Sequence, residues 1–344
     1  MGDAPTAASM AAAPSTGAEQ RKRRHEVLQT QKVKRQRIAS EGGCSSDALL
    51  TAVPTAMDTT VKPSEAKASH NRASETLMAA EWMVDVPVDL GSSWCVAARP
   101  AGKRCLVSTS GGSTRVQGRT GRARTFPSTL PGGSRHSKGG SSAVCELDCI
   151  WVEDEAAYYV VDVLRWKQQR LADCPAELRL FWLHSKLIET RCGESSSTNR
   201  FRFVPLKWVP CDAQNLRAAY AARDGSPTEP ADPERAHDVS SMDLGAEIGD
   251  GASGAGRAQR DGLLFMHREA LYEPGPSPLF LSWCDRACSS RFYDYGSVAM
   301  AKELQRAPEK VEKWRAAEVT AAVDFAQLMQ RAETPMPMEQ GVGP

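Results

Sequence analysis

The sequence predicts an α+β domain dominated by antiparallel strands, and three observations carry that expectation. Apolar runs are short and punctuated by Gly, Pro and Asp turns, as at Asp89-Leu90-Gly91 and Pro100-Ala101-Gly102. Alternation in Leu178-Arg179-Leu180 and Phe201-Arg202-Phe203 gives strands one wet face. Helical stretches are few beside the strands, at 19–41, 212–223 and 309–331. With 41% hydrophobic and 25% charged residues in 344, the chain has an ordinary globular composition, which excludes disorder throughout.

The elements follow in order. Residues 1–18 are small and polar and read as a disordered tail. Residues 19–41 hold no Gly or Pro and are rich in helix formers, so a basic helix is expected there. Residues 42–76 read as a linker, and a single domain should span 77–331. Its strands are expected at 82–88, 94–98, 104–109, 145–152, 158–165, 178–184, 201–208, 262–267 and 279–283. Asp212 should cap a helix over 212–223. Residues 224–260, with few large apolar side chains, read as a mobile insertion. A closing helix over 309–331 would use Val311, Trp314, Val319, Val323 and Leu328 as apolar positions, before a disordered tail at 332–344.

Charge is segregated although the net is only +1. Residues 21–37 carry eight basic residues, Arg21, Lys22, Arg23, Arg24, Lys32, Lys34, Arg35 and Arg37, against the single acid Glu26. Residues 90–145 carry nine basic residues and no acid. Two local regions therefore face anionic partners. In the second, Lys103-Arg104 follow a tight turn, and Arg115, Arg119, Arg122 and Arg124 lie among Gly, Ser and Thr, where Arg forks suit phosphate oxygens.

Other classes are disfavoured. The longest apolar runs fall far short of the roughly 18 residues a membrane span needs. No basic residue precedes Ala7–Ala13, so no secretory signal is expected. The ten cysteines are irregularly spaced; Cys145/Cys149 and Cys284/Cys288 are i,i+4 pairs, unlike zinc modules, and free thiols with no metal or other cofactor are expected. His184-Ser185-Lys186 lacks a Gly-x-Ser-x-Gly elbow to support acyl transfer. Eight tryptophans are expected mainly in the core, but Trp82 and Trp283 stand at strand ends, where a ring can face a ligand.

The segment LMAAEWMVDVPVDLGSSWCVAARPAGKRCLVST over 77–109 resembles the start of the cap-binding domain of the snurportin family. The likeness continues through GGSTRVQGRTG, FPSTLPGGSR, LDCIW, YYVVDVLRW, LRLFWLHSKL, FRFVPLKWVPC, DGLLF and PLFLSW. EQRKRRHEVLQTQKVKRQRIASE is similar in position and charge to the family's importin-β-binding helix.

The resemblance implies binding of the 2,2,7-trimethylguanosine cap of small nuclear RNA, with importin-β and an export receptor as further partners and shuttling between nucleus and cytoplasm. It implies a fold like the nucleotidyltransferase core of RNA-capping enzymes, with Asp261–Phe265 similar to one of its strand motifs. No lysine begins a Lys-x-Asp-Gly motif, so the covalent lysyl route lacks its nucleophile and a binder is expected. The alternatives are a guanylyltransferase-like enzyme with a relocated nucleophile, or a general RNA binder. By resemblance, Gly102, Lys103 and Arg104 form a cap-contacting turn with Arg104 near the phosphates, and Arg119 takes the place of a phosphate-binding lysine. Trp283 matches the base-stacking tryptophan, and Trp82 a second aromatic. Ala79 and Ala80 stand where the family presents Leu and Ser to the cap.

Overall fold

A computed structural model describes residues 16–40, 72–118, 123–135, 143–167, 169–196, 199–221, 260–284 and 323–333, with the isolated positions 305 and 309. The chain begins with α1 (Gly17–Ser40) and α2 (Arg72–Thr76). Strands and short helices follow: β1 (Met78–Trp82), α3 (Leu90–Ser93), β2 (Trp94–Pro100), β3 (Lys103–Ser110), β4 (Ser113–Gly118), β5 (Ala123–Phe126), β6 (Cys145–Val152), β7 (Ala157–Trp166) and β8 (Gln169–Arg170). The rest are α4 (Ala176–Glu189), β9 (Arg202–Pro205), β10 (Val209–Pro210), α5 (Ala213–Ala221), β11 (Arg260–His267), β12 (Gly275–Trp283) and α6 (Phe325–Glu333). The architecture is α+β and mainly antiparallel, as the sequence predicts.

Two sheets organise it. The first has the order β1-β12-β11-β2-β10; the second has β5-β4-β3-β6-β7-β8, with β9 added beside β7. All pairings are antiparallel except β1–β12 and β7–β9. Between the sheets lies a core that joins Met78, Leu264, Met266 and Phe280 from the first to Ile150, Tyr159 and Val161 from the second. The other face of the second sheet packs Val107, Val160 and Phe203 against Trp182, Leu183 and Leu187 of α4. The other face of the first packs Phe265, Leu281 and Trp283 against Leu216 of α5 and Leu328 of α6. With both faces covered, β7 is a near-continuous apolar run, as buried strands are.

Several expectations need correction. Residues 178–184 belong to helix α4, not to a strand. Arg179, read as facing water, is fully buried: it ion-pairs with buried Asp162 at 2.7 Å and donates to the carbonyls of Cys174 (2.6 Å) and Ala270 (2.8 Å). A buried guanidinium so fully satisfied is an apolar-face residue in practice, which restores the helical period. The strand expected at 82–88 ends at Trp82. The amides of Val84 and Asp85 leave the sheet ladder and donate to the side chain of Gln20 on α1, each at 3.1 Å. The Gly/Ser/Thr-rich stretch after Thr109 is not simply loop: β4 and β5 form a hairpin from it.

Other expectations agree closely. The helix expected at 19–41 is α1, opened by a reciprocal box in which Thr16 N–H donates to Glu19 (2.8 Å) and Glu19 N–H to Thr16 Oγ1 (3.3 Å). Asp212 caps α5 through the amide of Asn215 at 2.8 Å. The 224–260 insertion lies outside the described residues up to 259, as do Val311, Trp314 and Val319; the closing helix expected over 309–331 is corrected, since Val323 and Asp324 are not helical and Asp324 caps a separate α6 through the amide of Gln327 at 2.8 Å.

Candidate functional site

The residues expected at the cap site fall into three places. Ala79, Ala80 and Trp82 lie on β1, the outer strand of the first sheet, and all three are half-buried. Gly102, Lys103 and Arg104 lie where the chain passes from β2 in the first sheet to β3 in the second. A Cβ at Gly102 would collide with the carbonyl oxygen of Trp151, so the tight crossing requires glycine. Lys103 is free to reach solvent: its side chain is 72% exposed, with Glu153 a loose 3.8 Å away. Arg119 lies outside the described residues.

Arg104 faces the interior. Its guanidinium grips both oxygens of Asp148, which is fully buried on β6, and lies 5.1 Å from the ring of Phe280 on β12. Asp148 also accepts from Tyr272 Oη at 2.7 Å, and Tyr272 Oη accepts from the amide of Met78 at 3.0 Å. This chain of polar contacts ties β3 and β6 to the start of β1. It links Arg104 through Asp148 and Tyr272 to Met78, at the head of the strand that carries Ala79, Ala80 and Trp82. The resemblance puts Arg104 near the phosphates; in the structure its Nε and Nη2 are engaged by Asp148, while the side chain stays 22% exposed. Burial opposes the charge on Arg104, but Asp148 outweighs it and raises the guanidinium above its ordinary value. Burial also pushes the Tyr272 hydroxyl well up, so it stays a neutral donor.

Trp283, which the resemblance matches to the base-stacking tryptophan, has a core position. Its side chain is 1% exposed, in the core on the far side of the first sheet from Phe280. Its Nε1–H donates to the carbonyl of Val323 at 2.6 Å, and the rings of Tyr220 and Phe325 lie 6.0 and 6.1 Å away. The sequence shows a tryptophan at a strand end; the residues that cover it come from α5 and α6, far along the chain.

Sequence reasoning missed Asp148, Tyr272 and Phe280. One signal was available: Asp148 is a lone acid inside the apolar run Leu147–Val152, a pattern that demands a buried partner. Of the wider basic window, Arg115 and Arg124 are exposed on the β4–β5 hairpin, with Arg124 lying 5.8 Å over the ring of Trp151.

The basic helix α1 is not splayed into solvent. Arg21 reaches Asp85 at 2.5 Å, Arg23 reaches Glu81 at 2.5 Å, and Arg24 reaches Asp85 at 3.2 Å. Lys34 pairs with Glu273 (3.1 Å) and Asp173 (3.7 Å), and Arg35 with Glu269 (2.6 Å). Lys22 contacts Glu26 of its own helix at 3.9 Å, and Lys32 and Arg37 are exposed. Arg24 is 6% exposed and lies 5.6 Å over the Trp94 ring; burial pushes its guanidinium below the ordinary value despite Asp85.

Among the described residues no group of three or more His, Cys, Asp or Glu could hold a metal ion, and no helix is long and apolar enough to cross a membrane.

Comparison with known proteins gives one family match. Residues 76–229 match the family model described as Snurportin1, m3G cap-binding domain. Among solved structures, the ligase domain of M. tuberculosis LigD is similar at 14% identity over 61% of this chain and 59% of that chain, with a TM-score of 0.35. A mycobacterial DNA ligase D complexed with ATP and MES is similar at 13% identity over 61% and 60%, with a TM-score of 0.34. Lig E DNA ligase is similar at 11% identity over 61% and 68%, with a TM-score of 0.33. The chain thus spans about three fifths of the first two. Residues 76–229, somewhat under half of the chain, are thus similar to the snurportin cap-binding domain.

Proposed function

We propose that this chain binds the 2,2,7-trimethylguanosine cap of spliceosomal small nuclear RNA and links the capped particle to importin-β for nuclear import, shuttling between cytoplasm and nucleus. The observation that carries the cap half is the match of residues 76–229 to the snurportin cap-binding model. The import half draws on the basic character of α1, whose Arg21–Arg24 run and Lys32–Arg37 cluster have the charge a basic import helix needs. On this reading an export receptor returns the adaptor to the cytoplasm.

The chemistry supports a binder. A guanine methylated at N7 is cationic and suits an aromatic face, which the half-buried Trp82 can offer. The triphosphate suits the exposed Lys103, with Arg119 in the same acid-free window. The N2 methyls remove donors, so an apolar wall favours them; Ala79 and Ala80, where the family presents Leu and Ser, give less of that wall and one hydroxyl fewer. Discrimination by such apolar contact is worth about 1–3 kcal/mol. Without a Lys-x-Asp-Gly nucleophile we read no covalent nucleotidyl step.

The test is a titration of the full chain with trimethylated, monomethylated and unmethylated cap dinucleotides. Trimethylated cap should bind several-fold tighter than monomethylated cap; equal affinities would refute the selectivity. Labelled GTP in the same preparation should leave no covalent adduct, and an adduct would favour the guanylyltransferase-like reading. Tight binding of uncapped RNA with a steep salt slope would favour a general RNA binder.

A further inference from the structure

The acidic edge of the domain and the basic helix α1 form a built interface. Its centre is polar and specific, not merely charged. Gln20 is 1% exposed; its Nε2 donates to the carbonyl of Trp82 (2.8 Å) and to Glu81 (3.2 Å), while its Oε1 accepts the amides of Val84 and Asp85. Gln31, 2% exposed, donates to Glu273 (3.0 Å) and accepts from the amide of Leu271 (2.9 Å). These two glutamines are eleven positions apart, three helical turns, so they mark one face of α1. Val27 and Leu28 between them pack against the inter-sheet core. The basic residues around this face meet Glu81, Asp85, Glu269 and Glu273.

We propose that this acidic edge is a docking surface for the chain's own basic helix, so that α1 is masked in the unbound protein and any acidic receptor must displace it. The same side chains, Arg21, Arg23, Arg24, Lys34 and Arg35, cannot face the domain and an acidic receptor groove together. Exposed ion pairs alone contribute little and are screened by salt. The buried glutamines supply what salt does not remove: they satisfy three backbone amides that the sheet leaves unpaired. A tethered helix rebinds its own domain at an effective concentration of about millimolar order, which lowers receptor affinity without any new contact. The helix lies chiefly along β12, and Gln20 and Arg23 reach Glu81 and the Trp82 carbonyl at the end of the neighbouring β1. The choice of receptor rests on the import-adaptor reading; the docking of α1 does not.

The experiment uses the full chain and the variant Gln20→Ala/Gln31→Ala, which removes the hydrogen bonds of the two buried glutamines and keeps every basic residue. Limited trypsin digestion reads the open population of α1 directly, because the cleavage sites lie in the helix. The variant should be cut within α1 at least about five-fold faster, the effect of losing one typical hydrogen bond. Equal rates in variant and wild type overturn the docking. A thermal melt of the domain, unchanged between the two, shows that faster cutting is release of α1 and not unfolding; a lowered melt transfers the test to Gln31→Ala alone, judged by the same rate. Importin-β titration then reads masking. Tighter binding to the variant supports it, and equal binding despite faster cutting overturns it. If importin-β binds neither protein while the variant is cut faster, the import reading fails and the docking stands.

Discussion

Replacing Trp283 with alanine separates two roles that the sequence alone cannot distinguish. In the structure Trp283 is 1% exposed, its indole N–H is held by the Val323 carbonyl, and its ring lies beside Tyr220 and Phe325. Emptying such a site costs about 3–5 kcal/mol. For a domain of this size each kcal/mol lowers the melting temperature by roughly 2–4 °C, so Trp283→Ala should lose about 6–20 °C. Trimethylguanosine-cap affinity, measured by fluorescence titration well below the new melting temperature, should be retained. Trp82→Ala should do the reverse. Trp82 is half-buried, and on the cap-binding reading losing its stacked base costs about 1–3 kcal/mol, a five- to 150-fold loss of affinity, with a small change in melting. The reasoning fails if Trp283→Ala melts within about 2 °C of wild type yet no longer binds cap.

Two further outcomes follow from the same geometry. Arg104→Ala should destabilise the domain by about 3–5 kcal/mol in denaturant unfolding, because it strands the fully buried Asp148 carboxylate; adding Asp148→Asn should recover part of that loss, and full additivity of the two changes would refute the pair. Asp89 supplies a pH signature. Burial disfavours its charge, but hydrogen bonds from His267 and Trp94 outweigh burial and hold the carboxyl below its ordinary value. A depressed folded value means the contribution is complete above the unfolded value, near pH 4, and is lost as pH falls through the folded one. Asp89→Asn should therefore flatten the acid limb of the stability curve between about pH 2 and 5, and an unchanged limb would show that Asp89 titrates normally.

The sequence was legible where local rules act. The 19–41 helix expectation needed only the absence of Gly and Pro and a wealth of helix formers, and α1 spans Gly17–Ser40. The strand over 145–152 and the Asp212 cap are local patterns too, and both match. Residues 178–184 failed because Leu-Arg-Leu-Phe-Trp-Leu-His alternates like a strand when Arg is counted as wet. What makes Arg179 dry is Asp162, seventeen positions earlier, and the Ala270 carbonyl, ninety-one positions later.

By itself the sequence determined the α+β class, the two basic regions and the resemblance that the family match over 76–229 supports. Tertiary structure alone decided which charges are available. Arg104 and Lys103 are neighbours in sequence, yet one is filled by Asp148 between the sheets and the other stands in solvent. Trp82 and Trp283 both end strands, yet only Trp283 is roofed by α5 and α6. A sequence records which side chains can carry charge or stack on a base. Whether they do depends on partners that chain folding brings from far away, and on the water those partners exclude.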